Sequence, residues 1–398
     1  MKRFMVVALA LVVMLGVSTN AFAGKDRVEV MTMNQYLGAD LTPVIAAPDL
    51  PSFVAAATAA LNQIAANNFP ERADALARLI NDREPDLVGL QEVFNFSFDP
   101  DGAGPIPFIN GPPPFTDHLA ETLRALNDHA DDDSDSDGGE PWQVLAVVQN
   151  LDLILPGFPV PGLGVVDLRV TDRDVILGRG AVAASAVPVA FPCAKPSVDG
   201  CNYDLIASAA SPLGPIDIER GWVGVDATVD GKDVRFVNTH LEVQNPDPTN
   251  PFSSLVQDGQ ARQLIGTLAF TPSSPGRSLI VVGDINSSPV DPVIPGPLPL
   301  PPPFDAGIIP PYTSFVGAGY TDAWTLRPGN KPGFTCCQAA DLLNVTSIHD
   351  ERIDMLFSLD PLTKVKAKVL GAKQKDKSTP SNLWPSDHSS VVGRLTFN

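Results

Sequence analysis

Apolar residues recur along this chain in two rhythms, one of period near 3.6 and one of period two. Helical spacing predicts four helices. The first, 53–67, is Ala-rich; the second, 71–81, gathers Leu76, Leu79 and Ile80 on one face. A third, 116–127, gathers Leu119, Leu123 and Leu126 behind a Thr116 or Asp117 cap, and a fourth, 257–270, follows Ser253-Ser254. Strand-like runs fall at 28–33, 87–91, 142–149, 174–177, 222–229, 234–239, 279–283, 353–358 and 390–396. Many strands, few helices and long loops predict a sheet-centred α/β (α+β) domain. No repeat of fixed period is visible.

Several strand-like runs end in polar residues suited to holding a metal or moving a proton. Val28 to Met33 closes on Asn34, and Leu87 to Gln91 on Glu92. Val234 to Thr239 closes on His240, and Leu279 to Gly283 on Asp284-Ile285-Asn286. Ser386-Asp387-His388-Ser389 precedes the last strand, and Arg352-Ile353-Asp354 opens another. Strand ends that converge on one rim are where open α/β sheets place their chemistry. Glu92 supplies a hard oxygen ligand for magnesium or calcium. Asp284 and Asn286, two apart, point the same way and can serve water and phosphate. His240 and His388 can donate to phosphate oxygens or act as acid and base, and Asp354 can orient a histidine. Taken singly, each has an ordinary reading as a turn, a solvated acid or a core histidine; the ordered set favours an active site for phosphate-ester hydrolysis.

Composition narrows the setting. Lys2 and Arg3, an apolar stretch over 4–17 and Ala21-Phe22-Ala23 form a signal-peptide pattern covering residues 1–23, so an exported protein, secreted or periplasmic, is expected. The apolar stretch is shorter than the ~20 residues of a spanning helix, and no later segment is a transmembrane candidate. Residues 24–398 are then expected to form a single domain with Pro-rich loop inserts. The net charge of −19 disfavours a broad surface for polyanions, and removing the basic leader makes it two units more negative. Forty prolines cluster at 105–115, 155–161 and 293–311, where stiff surface loops are expected. A greasy rim near Phe108, Phe158 and Phe304, favouring a lipid or aromatic substrate, is the competing reading. Asp133, Asp135, Asp137 and Gly138 echo a calcium loop without its closing acid, so a solvated loop is expected there.

Four cysteines in an exported chain suggest disulfides. Cys193 and Cys201 are placed to close a short loop. The adjacent Cys336 and Cys337 leave three options open: a bond to each other, other partners, or free thiols. Zinc is the weaker reading, because no further ligand lies at zinc spacing and His349 stands alone.

In its ordered motifs the chain resembles the endonuclease/exonuclease/phosphatase superfamily of metal-dependent phosphoesterases. The anchors are Asn34, Gln91-Glu92, Asn238-Thr239-His240, Gly283-Asp284-x-Asn286, Arg352-x-Asp354 and Ser386-Asp387-His388. The resemblance implies two mixed β-sheets packed face to face with helices outside, a four-layer sandwich. It implies Glu92 as principal metal ligand, Asn34 beside it and Asp387 as a further ligand, with magnesium as the metal and manganese or calcium as substitutes. His388 would pair with Asp354, Asp284 would orient or deprotonate water, and Asn286 and His240 would bind phosphate. The implied protein is a monomeric phosphoester hydrolase, most simply a phosphodiesterase. Nucleic acid, a phospholipid as in sphingomyelinases, and small phosphate esters are the candidate substrates. A nuclease would draw on Arg169, Arg173, Arg179 and Arg220, which are scattered in the sequence. Outside this class stands a non-catalytic binding protein that keeps the fold.

Overall fold

The computed structural model describes residues 26–99, 108–132, 140–180, 182–188, 193–245, 250–271, 273–295 and 307–398. The leader pattern, the acidic run at 133–138 and the Pro-rich stretches at 105–107 and 296–306, including Phe304, lie outside the described residues. Among the described residues no helix is long and apolar enough to cross a membrane.

The longer strands are β1 (Arg27–Asn34), β2 (Leu87–Gln91), β3 (Asn95–Asp99), β4 (Trp142–Val160), β5 (Gly164–Arg179), β6 (Gly221–Val229), β7 (Lys232–His240), β8 (Ser278–Asp284), β9 (Asp354–Ser358), β10 (Leu362–Leu370) and β11 (Ser390–Phe397). The longer helices are α1 (Leu50–Ala66), α2 (Phe69–Asn81), α3 (His118–Asp132) and α4 (Phe252–Phe270). Asp49 caps α1 through Ser52 N, and Asp117 caps α3 through Leu119 N, each at 2.8 Å.

Among the described residues these strands, with shorter ones, form two eight-stranded mixed sheets. In the first the order is β10-β11-β1-β2-β5, with β1 and β2 parallel. β3 continues the β2 flank of β5, and β4 covers the other flank. In the second, β9-β8-β7-β6 form the centre, with β7 and β8 parallel and β9 antiparallel to β8.

The period-two pattern fixes how the layers stack. Val28, Val30 and Leu87 of the first sheet share one core with Val223, Val225, Val234, Phe236, Ile280, Val282 and Leu356 of the second. The alternate residues Met31, Met33, Val88 and Leu90 pack on Phe69, Leu76 and Ile80 of α2 and on Leu126 of α3. Val237, Val281, Met355 and Phe357 pack on Ala261, Leu264 and Leu268 of α4 and on Phe315 of the short helix Pro311–Gly317. Helices, sheet, sheet, helices is the expected four-layer sandwich.

Two expectations change in detail. The Pro-rich stretch at 155–161 is not a loop but, up to Val160, the far end of β4, whose strand partner among the described residues is β5, met through three register shifts. An edge position and bulges are the places where a strand tolerates proline. Phe158 is also not at a rim. It is buried with Phe53, Leu61, Phe94, Phe96, Phe98 and Phe115 in a separate apolar core under α1. Cys193 is bonded to Cys201, closing the expected short loop, and the sulfurs of Cys336 and Cys337 lie against each other.

Candidate active site

The inward rows of the two sheets turn polar at one end of the sandwich. On β1 the row Val28, Val30 continues to Thr32 and Asn34; on β7, Val234 and Phe236 continue to Asn238 and His240. On β8, Ile280 and Val282 continue to Asp284, and on β9 Leu356 is preceded by Asp354. Parallel pairing of β1 with β2 and of β7 with β8 brings these ends to one side. Hydrogen bonds then tie sheet to sheet. Gln91 Nε2 donates to Asn238 Oδ1 (2.6 Å) and to Thr32 Oγ1 (3.1 Å), while Asn238 Nδ2 donates to Leu90 O (2.8 Å). Side chains that reach these positions need close strand approach: a Cβ on Gly283, whose φ is 147°, would stand 1.9 Å from Thr239 O.

All eight residues singled out from the sequence converge here. Asp284 is the centre. Its Oδ2 accepts Asn34 Nδ2 at 3.1 Å and lies 3.5 Å from His240 Nε2 and 3.7 Å from His388 Nε2. Its Oδ1 accepts the Asn286 backbone N–H at 2.9 Å. Asn34 Nδ2 also reaches Glu92 Oε1 (3.1 Å), and Glu92 Oε2 accepts Leu37 N (2.8 Å). Glu92 and Asn286 hold left-handed backbones, with φ of 54° and 49°. Such conformations cost a non-glycine residue free energy and collect at functional sites. Asn286 Nδ2 donates to Leu241 O at 2.9 Å and lies 3.2 Å from His240 Nε2. His388 Nδ1 meets Asp354 Oδ2 at 2.9 Å, and both are buried.

Burial and charge set the protonation states. Asp284 is pushed up to about 7, chiefly by burial, with the positive charge of His388 opposing and the charge of Asp354 adding. For His388 burial alone would lower the pKa, but the negative charges of Asp354, Asp284 and Asp387 overrule it and raise the pKa well above the usual value. Asp387 is pushed up to about 6, mainly by burial; His388 opposes this and the charge of Glu92 adds to it. His240 is held well below the usual histidine range by burial and by the charges of Arg220 and His388.

The donor set fits a hard divalent cation. Glu92 and Asp387 are half-buried carboxylates whose charges act on each other. The nearby guanidinium of Arg72 spends its N–H groups on backbone carbonyls. Arg72 and His388 offset part of this negative charge, and the carboxylate oxygens are the hard donors that magnesium or calcium sites use. Asn34 stands differently from the ligand implied by the resemblance. Its Oδ1 accepts Tyr36 N at 2.9 Å, so its amide nitrogen faces the acids and bridges Glu92 to Asp284. A nitrogen that donates hydrogen bonds offers no lone pair to a cation.

Several residues at the site escaped sequence reasoning. Arg220, read as one of the scattered arginines, is nearly buried and places Nη1 2.9 Å from His240 Nδ1. Asp172 and Glu242 stand behind it at 4.0 and 3.9 Å. His349 does not stand alone: its Nε2 meets Asp387 O (3.0 Å) and its Nδ1 meets Ser389 Oγ (3.2 Å), bracketing His388. Cys337 Sγ lies 3.9 Å from His388 Nε2. The other three arginines are neutralised by acids: Arg169 by Asp152, Arg173 by Asp117 and Arg179 by Glu84.

No family model matches this chain, and no curated protein matches it. Among solved structures, it is similar to an endonuclease/exonuclease/phosphatase from Beutenbergia cavernae, at 19% identity over 94% of this chain and 72% of that one, with a TM-score of 0.48. An endonuclease/exonuclease/phosphatase family protein from Leptotrichia buccalis is similar at 16% identity over 93% and 100%, with a TM-score of 0.48. One from Bacteroides vulgatus is similar at 15% identity over 94% and 99%, with a TM-score of 0.49. The functional reading therefore rests on the side-chain geometry.

Proposed function

We propose that the protein is an exported, divalent-metal-dependent phosphoester hydrolase of the endonuclease/exonuclease/phosphatase type, acting as a phosphodiesterase. The observation that carries this reading is the meeting of Asn34, His240 and His388 on one oxygen of Asp284, beside the Glu92 and Asp387 carboxylates. Glu92 and Asp387 would hold magnesium, which when bound neutralises phosphate oxygens and polarises the ester. Asp284 orients the attacking water and accepts its proton. Asn286 and His240 present N–H bonds to phosphate oxygens, and His388, charged and backed by Asp354, stabilises the negative charge that grows in the transition state. Purified protein should hydrolyse a generic phosphodiester with magnesium, stop with chelator, and lose about 10²- to 10⁴-fold in turnover as His388→Ala. Activity indifferent to both chelator and His388→Ala would sink the reading. Metal binding by calorimetry without turnover of any ester would point to a binding protein instead.

For substrate, the acid-paired arginines and the −19 net charge favour a phospholipid or small phosphodiester over nucleic acid. A panel of plasmid DNA, RNA, sphingomyelin and inositol phosphates tests this; hydrolysis of DNA alone would reverse the preference.

The Asp354–His388 pair yields a prediction of its own. The carboxylate keeps the imidazole charged, so Asp354→Asn lowers the His388 pKa and moves the alkaline limb of the rate profile to lower pH. Turnover should fall roughly 10²-fold with little change in metal affinity. The sign for stability agrees: a histidine with a raised pKa stabilises the fold fully below about 6.5, and loses that contribution as pH rises through the folded value. The variant should accordingly lose more melting temperature at acid pH than at alkaline pH. A destabilised variant with wild-type turnover and an unmoved profile would leave His388 without this partner.

A further inference from the structure

The two histidines of the site are wired oppositely. His388 has a carboxylate behind its Nδ1, whereas His240 has a guanidinium there, with Arg220 Nη1 at 2.9 Å. A guanidinium carries five N–H donors, has no acceptor and does not deprotonate, so the shared hydrogen bond has one direction. Arg220 donates and His240 Nδ1 accepts. The ring proton must then sit on Nε2, the nitrogen that faces Asp284 Oδ2 at 3.5 Å and the Asn286 amide at 3.2 Å. Asn286, which donates to Leu241 O through the same Nδ2, therefore faces Nε2 donor to donor at 3.2 Å; the two N–H groups do not bond each other, and both are left for an acceptor placed between them.

We propose that Arg220 is a positioning residue that locks His240 in the tautomer with a bare Nδ1 and an Nε2–H donor. The groups facing His240 are consistent with this tautomer. Arg220 and His388 are cations and disfavour a third positive charge. Asp284 lies in front of Nε2, where it favours the proton. Asp172 and Glu242 lie 4.0 and 3.9 Å from the Arg220 guanidinium, outside hydrogen-bond distance, and compensate its charge. With Arg220 removed, those two carboxylates would instead draw a proton onto Nδ1. A bridge of 2.9 Å between buried groups also fixes the ring plane, which a donor aimed at a phosphate oxygen requires.

The structural half of this inference stands whatever the substrate; its kinetic half rests on phosphoester hydrolysis at this site. The two are tested separately. In metal-free protein labelled with ¹⁵N-histidine, the His240 signals, assigned by their loss in His240→Gln, should show a bare Nδ1 and a protonated Nε2. They should stay so between about pH 5 and 8, the window where an ordinary histidine titrates. In Arg220→Met the Nδ1 signal should move into the protonated range and begin to titrate. In Arg220→Lys, which still donates, it should not. Turnover with a generic phosphodiester should drop about 10²-fold in Arg220→Met, the scale of losing one oriented donor, and recover in part in Arg220→Lys. A protonated Nδ1 or a titrating His240 in the unmutated protein overturns the proposal without any variant. So does an Arg220→Met protein whose His240 keeps the wild-type tautomer. Absence of turnover in every form, with the expected tautomers, would overturn the hydrolase reading and leave the lock intact.

Discussion

Asp284→Asn should lower turnover by about 10³-fold or more, within the range expected for loss of a catalytic proton acceptor, and should not unfold the protein. Asp284 is the one group that Asn34, His240 and His388 all address, so the change strikes both water activation and alignment of the donors. An amide accepts hydrogen bonds through its oxygen but cannot take a proton from water at neutral pH. Stability should respond in the opposite sense. The folded pKa, about 7, lies above the ordinary 3.8, because burial penalises the charged form. As pH rises from about 4 to about 7, the unfolded chain gives up this proton before the folded one, so folding loses stability over that window. Above it the loss is complete. Asparagine carries no such proton. Measured with chelator present, the melting temperature of Asp284→Asn relative to wild type should therefore be higher at about pH 8 than at about pH 5. One amide N–H facing Asn34 limits the absolute gain, so the diagnostic is the trend with pH. Wild-type turnover would remove Asp284 from the chemistry; a flat pH trend would remove the strain assigned to its charge.

Much of the sandwich was readable because its central strands bury both faces and so stand out as apolar runs ending in polar residues. The site was readable for a related reason. Asn34, His240, Asp284 and Asp354 sit where an inward-facing row leaves the core, and that row can be counted along the sequence. What escaped lies where tertiary context overrides local pattern. Leu362–Leu370 alternates Val365 with Lys364, Lys366 and Lys368, an edge strand protected by lysines, and was not among the predicted strands. The long β4–β5 hairpin hid behind its prolines. Arg220 and Arg72 are charged residues whose ordinary place is the surface, and nothing within a few residues of either announces burial. Their partners come from elsewhere in the chain: His240 for Arg220, and Gln35, Tyr36 and Pro385 for Arg72.

Arg72→Met should cost about 3–5 kcal/mol of stability, the largest loss expected from any single change near this site. Arg72 lies in the first turns of α2 and has no exposed surface. Its Nε donates to Asn67 O (2.9 Å), Nη1 to Gln35 O (2.8 Å) and Pro385 O (2.9 Å), and Nη2 to Tyr36 O (3.1 Å). The guanidinium also lies over the rings of Phe69 and Tyr36. Burial lowers its pKa to about 10, which leaves it charged at neutral pH, with Asp387 and Glu92 supplying the offsetting negative charge. Methionine keeps the apolar stem but leaves four buried carbonyls without donors. Three of those carbonyls belong to the segment following Asn34 (Gln35, Tyr36) and to the one preceding Asp387 and His388 (Pro385), the fourth being Asn67 O at the junction of α1 and α2, so the damage should reach catalysis as well. Lysine keeps the charge but concentrates its donors at a single nitrogen that cannot span all four carbonyls, and should fall between. Chemical denaturation of the three proteins ranks them, and hydrogen exchange at Tyr36 and Asp387 shows whether these segments loosen together. A Met variant within about 1 kcal/mol of wild type would mean that water replaces the guanidinium at these carbonyls, and that the two segments hold their shape without it.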